Sequence, residues 1–185
     1  MAHQFTTSYV KDSIDLFRYY KKLAERAMAQ CSDEGLFAVI DAESNSIAII
    51  VKHMAGNMRS RWMDFLTTDG EKPDRNRDTE FEDAPKTRAA LMESWERGWK
   101  CLFDALEPLT DADLGRTVTI RTEPHSVMQA INRQVAHYSH HVGQIVFLAK
   151  HLTAKVTGKW DSLSVPRGQS KQFAADVAAG RKSQR

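Results

Sequence analysis

Ser126-Val127-Met128-Gln129-Ala130-Ile131-Asn132-Arg133-Gln134-Val135-Ala136-His137-Tyr138-Ser139-His140-His141-Val142-Gly143-Gln144-Ile145-Val146-Phe147-Leu148-Ala149-Lys150-His151 is the stretch whose reading decides the fold. It opens on S-x-x-Q, the capping box in which a serine hydroxyl and a glutamine side chain each satisfy a free amide of the first helical turn. Ala130, Gln134, His137, His141, Gln144 and Leu148 then recur at a three- to four-residue spacing, which lines them along one helix face.

Three further stretches carry the same period. Val10, Ile14, Phe17, Leu23 and Ala27 mark a helix over about residues 8–30, ended by Asp33-Glu34-Gly35. Ser44, Asn45 and Ser46 are good N-cap types, and Ile47, Ile50, Val51, Met54, Met58, Trp62 and Phe65 follow, up to about residues 67–70. A third helix starts near Pro85 and carries Leu91, Trp95, Trp99, Leu102, Phe103 and Leu106, with Pro108 ending it. Four amphipathic segments of this length predict an all-α chain folded as a four-helix bundle. Residues 116–122 alternate in the period-2 manner and read as one short strand. The charged connection over residues 69–85 exceeds the roughly 2–8 residues usual between bundle helices, so a non-trivial crossover is expected. The division expected is residues 1–156 as the bundle and residues 157–185 as a partly disordered extension, with Trp160, Leu163 and Phe173 able to dock part of it.

Composition excludes several classes. The chain has 185 residues, 42% hydrophobic and 27% charged, enough for a sizeable core. A net charge of +2 lacks the basic excess of a dedicated nucleic-acid binder. The residues from 155 on hold seven basic and two acidic side chains, so the body is slightly acidic. No apolar run approaches the roughly 20 residues that span a bilayer. With no basic region followed by an apolar one at the N-terminus, and only Cys31 and Cys101, a cytoplasmic protein with reduced thiols is expected.

The histidines carry the chemistry. His137 and His141, one turn apart on one helix face, have the H-x-x-x-H spacing that recurs on zinc-binding helices. His140 points about 100° away from His141. A third ligand is offered by His53, set among Ile50, Met54, Asn57 and Met58 on an apolar face where an unpartnered imidazole is costly to bury. Three histidines and an open position describe a catalytic metal site, and all-nitrogen ligation suits Zn²⁺, Ni²⁺ or Fe²⁺. No carboxylate lies within a turn of His53, which argues against a carboxylate-rich di-iron site. His3, His125 and His151 read as surface residues. Asn57 and Arg61 follow His53 at one-turn intervals, and Gln134 and Gln144 flank the His137–His141 pair; these four, with Arg133, are candidates to orient a ligand or brace the histidines.

The stretch Asn45-Ser46-Ile47-Ala48-Ile49-Ile50-Val51-Lys52-His53-Met54-Ala55-Gly56-Asn57-Met58, with Arg61-Trp62 and Asp69-Gly70-Glu71-Lys72-Pro73, resembles the DinB-like superfamily, as do residues 129–145 and Ser164-Val165-Pro166-Arg167-Gly168-Gln169-Ser170. Within it, the chain is most similar to a subfamily described only as a domain of unknown function. The resemblance implies a four-helix bundle with an atypical crossover connection. It also implies a three-histidine metal site, carried over onto His53, His137 and His141. Relatives include S-transferases that use low-molecular-weight thiols (bacillithiol or mycothiol) and a thiol-dependent isomerase, and homodimers are frequent. The expected function is therefore a metal-dependent enzyme acting on a small-molecule substrate, with a thiol as co-substrate: a coordinated thiol loses its proton and becomes the nucleophile. A metal-dependent hydrolase, a non-catalytic metal-binding stress-response module and a dimerisation scaffold with vestigial histidines are the alternatives.

Overall fold

The computed structural model describes residues 8–182. His3, and the outermost residues of the two expected units, lie outside them. The chain is all-α apart from one small hairpin. Its elements are α1 (Tyr9–Met28), α2 (Asp33–Phe37), α3 (Ile47–Trp62), α4 (Arg88–Leu106), β1 (Thr117–Ile120), β2 (Glu123–Ser126), α5 (Val127–Thr157) and α6 (Ser170–Ala178). A 3₁₀ turn, Asp78–Phe81, lies between α3 and α4.

Local chemistry sets the boundaries. Ser8, Ser46 and Thr87 each accept a hydrogen bond from an amide of the first turn of α1, α3 and α4, and Ser126 with Gln129 forms the expected capping box of α5. Thr87 places the start of α4 slightly later than Pro85 predicts. α3 stops at Trp62 rather than near residues 67–70, because Asp64 turns to a positive φ of 50° and its carbonyl receives the amides of Thr67 and Thr68. Asp33-Glu34-Gly35 does not simply end the first helix: Ser32 caps a new turn there, and Leu36 is fully buried. α5 runs past His151 to Thr157, where Gly158 at φ 67° closes it in the left-handed region that suits glycine. Beyond it, Arg26 of α1 and Gln30 just after it hold the backbone of Leu163 and Asp161, and Trp160 and Leu163 pack against the core.

The single expected strand has a partner. β1 pairs antiparallel with β2, with Val118 opposite His125 and Thr119 opposite Pro124. Glu123-Pro124-His125-Ser126 shows no apolar alternation, because it is an outer strand joined to β1 by backbone bonds, where proline is tolerated.

The four long helices form the bundle. α3 packs most heavily on α4, and α1 on α5, while α3–α5 and α1–α4 close the ring. α1 and α3 therefore occupy opposite corners, as do α4 and α5, and the chain crosses the bundle between them. Phe17, Trp62, Trp99 and Tyr138 meet at the centre with ring centroids 5.8–6.5 Å apart. Buried Trp62 donates to the Tyr138 hydroxyl at 3.1 Å, which donates on to Asn57 Oδ1 at 3.0 Å, so the core aromatics keep their polar ends satisfied. α3 and α4 approach so closely at one point that a Cβ on Gly98 would lie 2.8 Å from the Ala55 Cα.

That contact is backbone on backbone, so neither side can yield without moving a helix. Gly98→Ala is expected to destabilise the fold by about 1–3 kcal/mol, the usual cost of overpacking, and Gly98→Val by more. Urea unfolding followed by circular dichroism checks this, and an unchanged midpoint for both variants contradicts the packing.

Candidate metal centre

α3 contributes His53 at its middle and α5 contributes His137 and His141 one turn apart. The α3–α5 contact brings the three imidazoles together, with one ligand atom from each within 4.8 Å of the others. His137 Nε2 lies 3.3 Å from His53 Nε2 and 3.2 Å from His141 Nε2. Two nitrogens bound at 2.0–2.1 Å to one tetrahedral ion stand about 3.3–3.4 Å apart. The spacing therefore fits a shared divalent ion. It fits hydrogen bonding less well, because a neutral His137 has one Nε2 proton at most to satisfy two facing lone pairs.

The outer nitrogens explain why those lone pairs face inward. His53 Nδ1 lies 2.8 Å from Glu80 Oε2, and both side chains are buried. A carboxylate accepts, so His53 carries its proton on Nδ1 and presents Nε2 as a base. His141 Nδ1 lies 2.8 Å from Gln144 Oε1 and is turned the same way. His137 Nδ1 is buried without a partner in the protein. Burial first, then the nearby His141 and His53, push the His137 pKa from 6.5 down to about 3. Burial likewise pushes His141 down to about 4, against the opposing bond to Gln144. Both are neutral at pH 7, the state in which an imidazole can ligate.

Glu80 is the residue that sequence reasoning missed. It lies in the connection over residues 69–85, 27 positions from His53, and reaches His53 from outside α3. Arg75 holds it with two hydrogen bonds of 2.8 and 2.9 Å, a bidentate, charge-assisted pair. Burial opposes its ionisation, yet the bonds from His53 and Arg75 and the Arg75 charge keep its pKa below the ordinary glutamate value. Gly56, one turn from His53, makes the room: a Cβ there would fall 2.4 Å from Glu80 Oε1. The charge density and length of this connection were the signals available. Its charges nearest the histidines are paired. Glu71 binds Arg61, Arg75 and Arg121, and Phe81 stacks on His53 at 4.6 Å.

A cleft of about 400 Å³ opens in front of the histidines. Asn57, Arg61, Gln134 and Arg133 line it, with Arg75, Arg77, Phe81, Arg121 and His140. Buried Arg61 spends its guanidinium on the Gly70 carbonyl and Glu71. Asn57 Oδ1 is taken by Tyr138. Gln134 is 2% exposed, and its Oε1 has no partner. Gln144 stands outside the cleft lining and bears on the centre through His141. Cys31 and Cys101 are free thiols, and no helix among the described residues is long and apolar enough to cross a membrane.

An unfolded chain protonates its histidines near pH 6.5, whereas folded His137 and His141 stay neutral down to about 3 and 4. Stability present above pH 6.5 is therefore lost as pH falls through that window. Between pH 7 and pH 4.5 the melting temperature of the metal-free protein is expected to drop by about 5 °C or more, and by less in His137→Gln. Differential scanning calorimetry reads both, and equal slopes for the two proteins contradict the assignment.

No curated protein and no solved structure matches the chain. The profile of one family, described as "Protein of unknown function (DUF1572)", matches residues 4–169. That span covers nearly all of the sequence, and the chain belongs to this family.

Proposed function

We propose that this protein is a metal-dependent enzyme of the DinB-like type, with one divalent ion (Zn²⁺, Ni²⁺ or Fe²⁺) held by His53, His137 and His141. The observation that carries the reading is His137 Nε2 lying 3.3 and 3.2 Å from the Nε2 atoms of His53 and His141, the separation of two nitrogens on one tetrahedral ion, with one ligand atom from each of the three within 4.8 Å of the others. The DinB-like assignment is supported by the residues quoted around His53 and His137. The reaction class proposed is transfer of a low-molecular-weight thiol to a small electrophilic substrate.

A divalent ion supplies a Lewis-acid centre that favours the thiolate over the thiol. The chain's own residues do the rest. Glu80, locked by Arg75, fixes the tautomer and ring orientation of His53, and Gln144 does the same for His141. Asn57, with its carbonyl oxygen taken by Tyr138, keeps its amide N–H groups for a ligand in the cleft. Phe81 covers one face of His53 and narrows solvent access to the centre.

Freshly purified protein is expected to contain close to one equivalent of a divalent metal by elemental analysis. His53→Ala or His141→Ala should abolish retention while leaving the helical circular-dichroism spectrum intact. Glu80→Gln, which preserves shape and removes the charge, should weaken Zn²⁺ binding by about 10- to 100-fold in a chelator competition. Metal-free protein whose Zn²⁺ affinity is indifferent to His53→Ala refutes the metal reading. Metal-loaded protein that transfers none of a panel of thiols to chlorinated or epoxide acceptors refutes the transferase reading.

A further inference from the structure

We propose that the cleft in front of the histidines takes a small molecule bearing an oxyanion, a carboxylate or a phosphate, bound by Arg77, Arg121 and Arg133 while the rest of the molecule reaches the histidines. The proposal names the substrate class of the site read above and rests on that reading.

The cleft wall carries five arginines and no carboxylate. Arg61 and Arg75 have buried side chains bonded within the protein: the two terminal nitrogens of Arg61 to Gly70 and Glu71, with its Nε buried and unpartnered, and Arg75 to Glu80 and Glu71. The other three are exposed and differently placed. Arg121 gives only its Nε, to Glu71 at 2.9 Å. Arg77 makes no ion pair among the described residues and lies over the Phe81 ring at 5.2 Å. Arg133, one turn before His137 on α5, has neither an ion pair nor a hydrogen bond to another described side chain. The nearby carboxylates, Glu71 and Glu80, are already shared among Arg61, Arg75, Arg121 and His53. A positive surplus is therefore concentrated in a concave wall, where low-dielectric surroundings focus its field.

Three separate segments supply these exposed guanidinium groups: the connection after α3, the β1–β2 turn and α5. The turn shows what holds Arg121 there. Arg121 and Thr122 both have positive φ, 54° and 65°, a region that side chains other than glycine enter at a cost. The Asp69 carboxylate accepts both of their amides at 2.8 Å and keeps the turn in place. Planar, doubly donating guanidinium groups match the paired oxygens of a carboxylate or phosphate. Gln134 Oε1, buried, unpartnered and on the same wall, adds an acceptor for a hydroxyl or amino group of the ligand. The cleft volume suits a small metabolite rather than a polymer.

The test is isothermal titration of the full-length Zn²⁺-loaded protein with succinate, with inorganic phosphate and with neutral succinamide. Zn²⁺ affinity is measured separately by chelator competition on every variant. At least one of the two anions is expected to bind at a single site, and succinamide is not. The tighter anion identifies the oxyanion. Arg133→Gln should weaken that binding by about tenfold, and Arg77→Gln with Arg133→Gln by more, with Zn²⁺ affinity unchanged. Both side chains are exposed, and thermal melts verify folding. The proposal is overturned if neither anion binds, if succinamide binds equally well, or if the double variant binds the anion as tightly as the parent. A parent that binds no Zn²⁺ is a separate failure, of the three-histidine reading, and the same titrations on the metal-free chain still report on the arginines.

Discussion

The hydrogen bond from His53 Nδ1 to Glu80, buried and 2.8 Å long, joins the centre of the bundle to the connection that follows α3. Glu80 cannot be buried alone, because a lone carboxylate inside a protein is costly. Arg75 meets it with two bonds and is itself shared with Glu71. Glu71 in turn engages Arg61 of α3 and Arg121 of the hairpin turn. The chain of pairs therefore runs from one imidazole through the loop to the β1–β2 turn, which Asp69 clasps by its backbone. Removing Arg75 strips the buried Glu80 of its cation, so the loop and the histidine geometry depend on one another.

A second constraint acts from beneath. The aromatic centre formed by Phe17, Trp62, Trp99 and Tyr138 is sealed by hydrogen bonds from Trp62 to Tyr138 and from Tyr138 to Asn57. Tyr138 adjoins His137 in sequence and points into the core, while His137 faces the cleft. Close packing at Tyr138 therefore sets the rotation of α5, and with it the direction of His137 and His141. The polar cleft and the apolar core share α3 and α5, and the register of each helix serves both.

Much of this was legible in the sequence because it is periodic. The four long helices, the Ser126–Gln129 capping box and the common face of His137 and His141 follow from spacing and capping chemistry, which act over a few residues, whereas the stripe that α5 buries runs through Ile131, Tyr138, Val142 and Ile145, and Gln144 is exposed. The choice of His53 rested on a local argument as well, an imidazole alone on an apolar face. What stayed hidden depends on distant pairing. β2 has no strand pattern, since backbone bonds to β1 hold it. Glu80 looks like one of many acids in a charged loop, and nothing within a turn of it names His53 as its partner. α2 reads in the sequence as the end of α1, because a single capped turn resembles a helix terminus.

By itself the sequence determined that the chain is helical, that His137 and His141 share a helix face, and that Asn57 and Arg61 follow His53 at one-turn intervals, because a helix converts spacing directly into direction. Only the tertiary structure decided that α1 and α3 take opposite corners, that α3 delivers His53 to the helix-5 pair, and that Glu80 orients it. It alone divided the arginines into those spent inside the protein and those left facing the cleft. Those outcomes turn on which buried charges find partners across long stretches of chain, and local propensity carries no record of that.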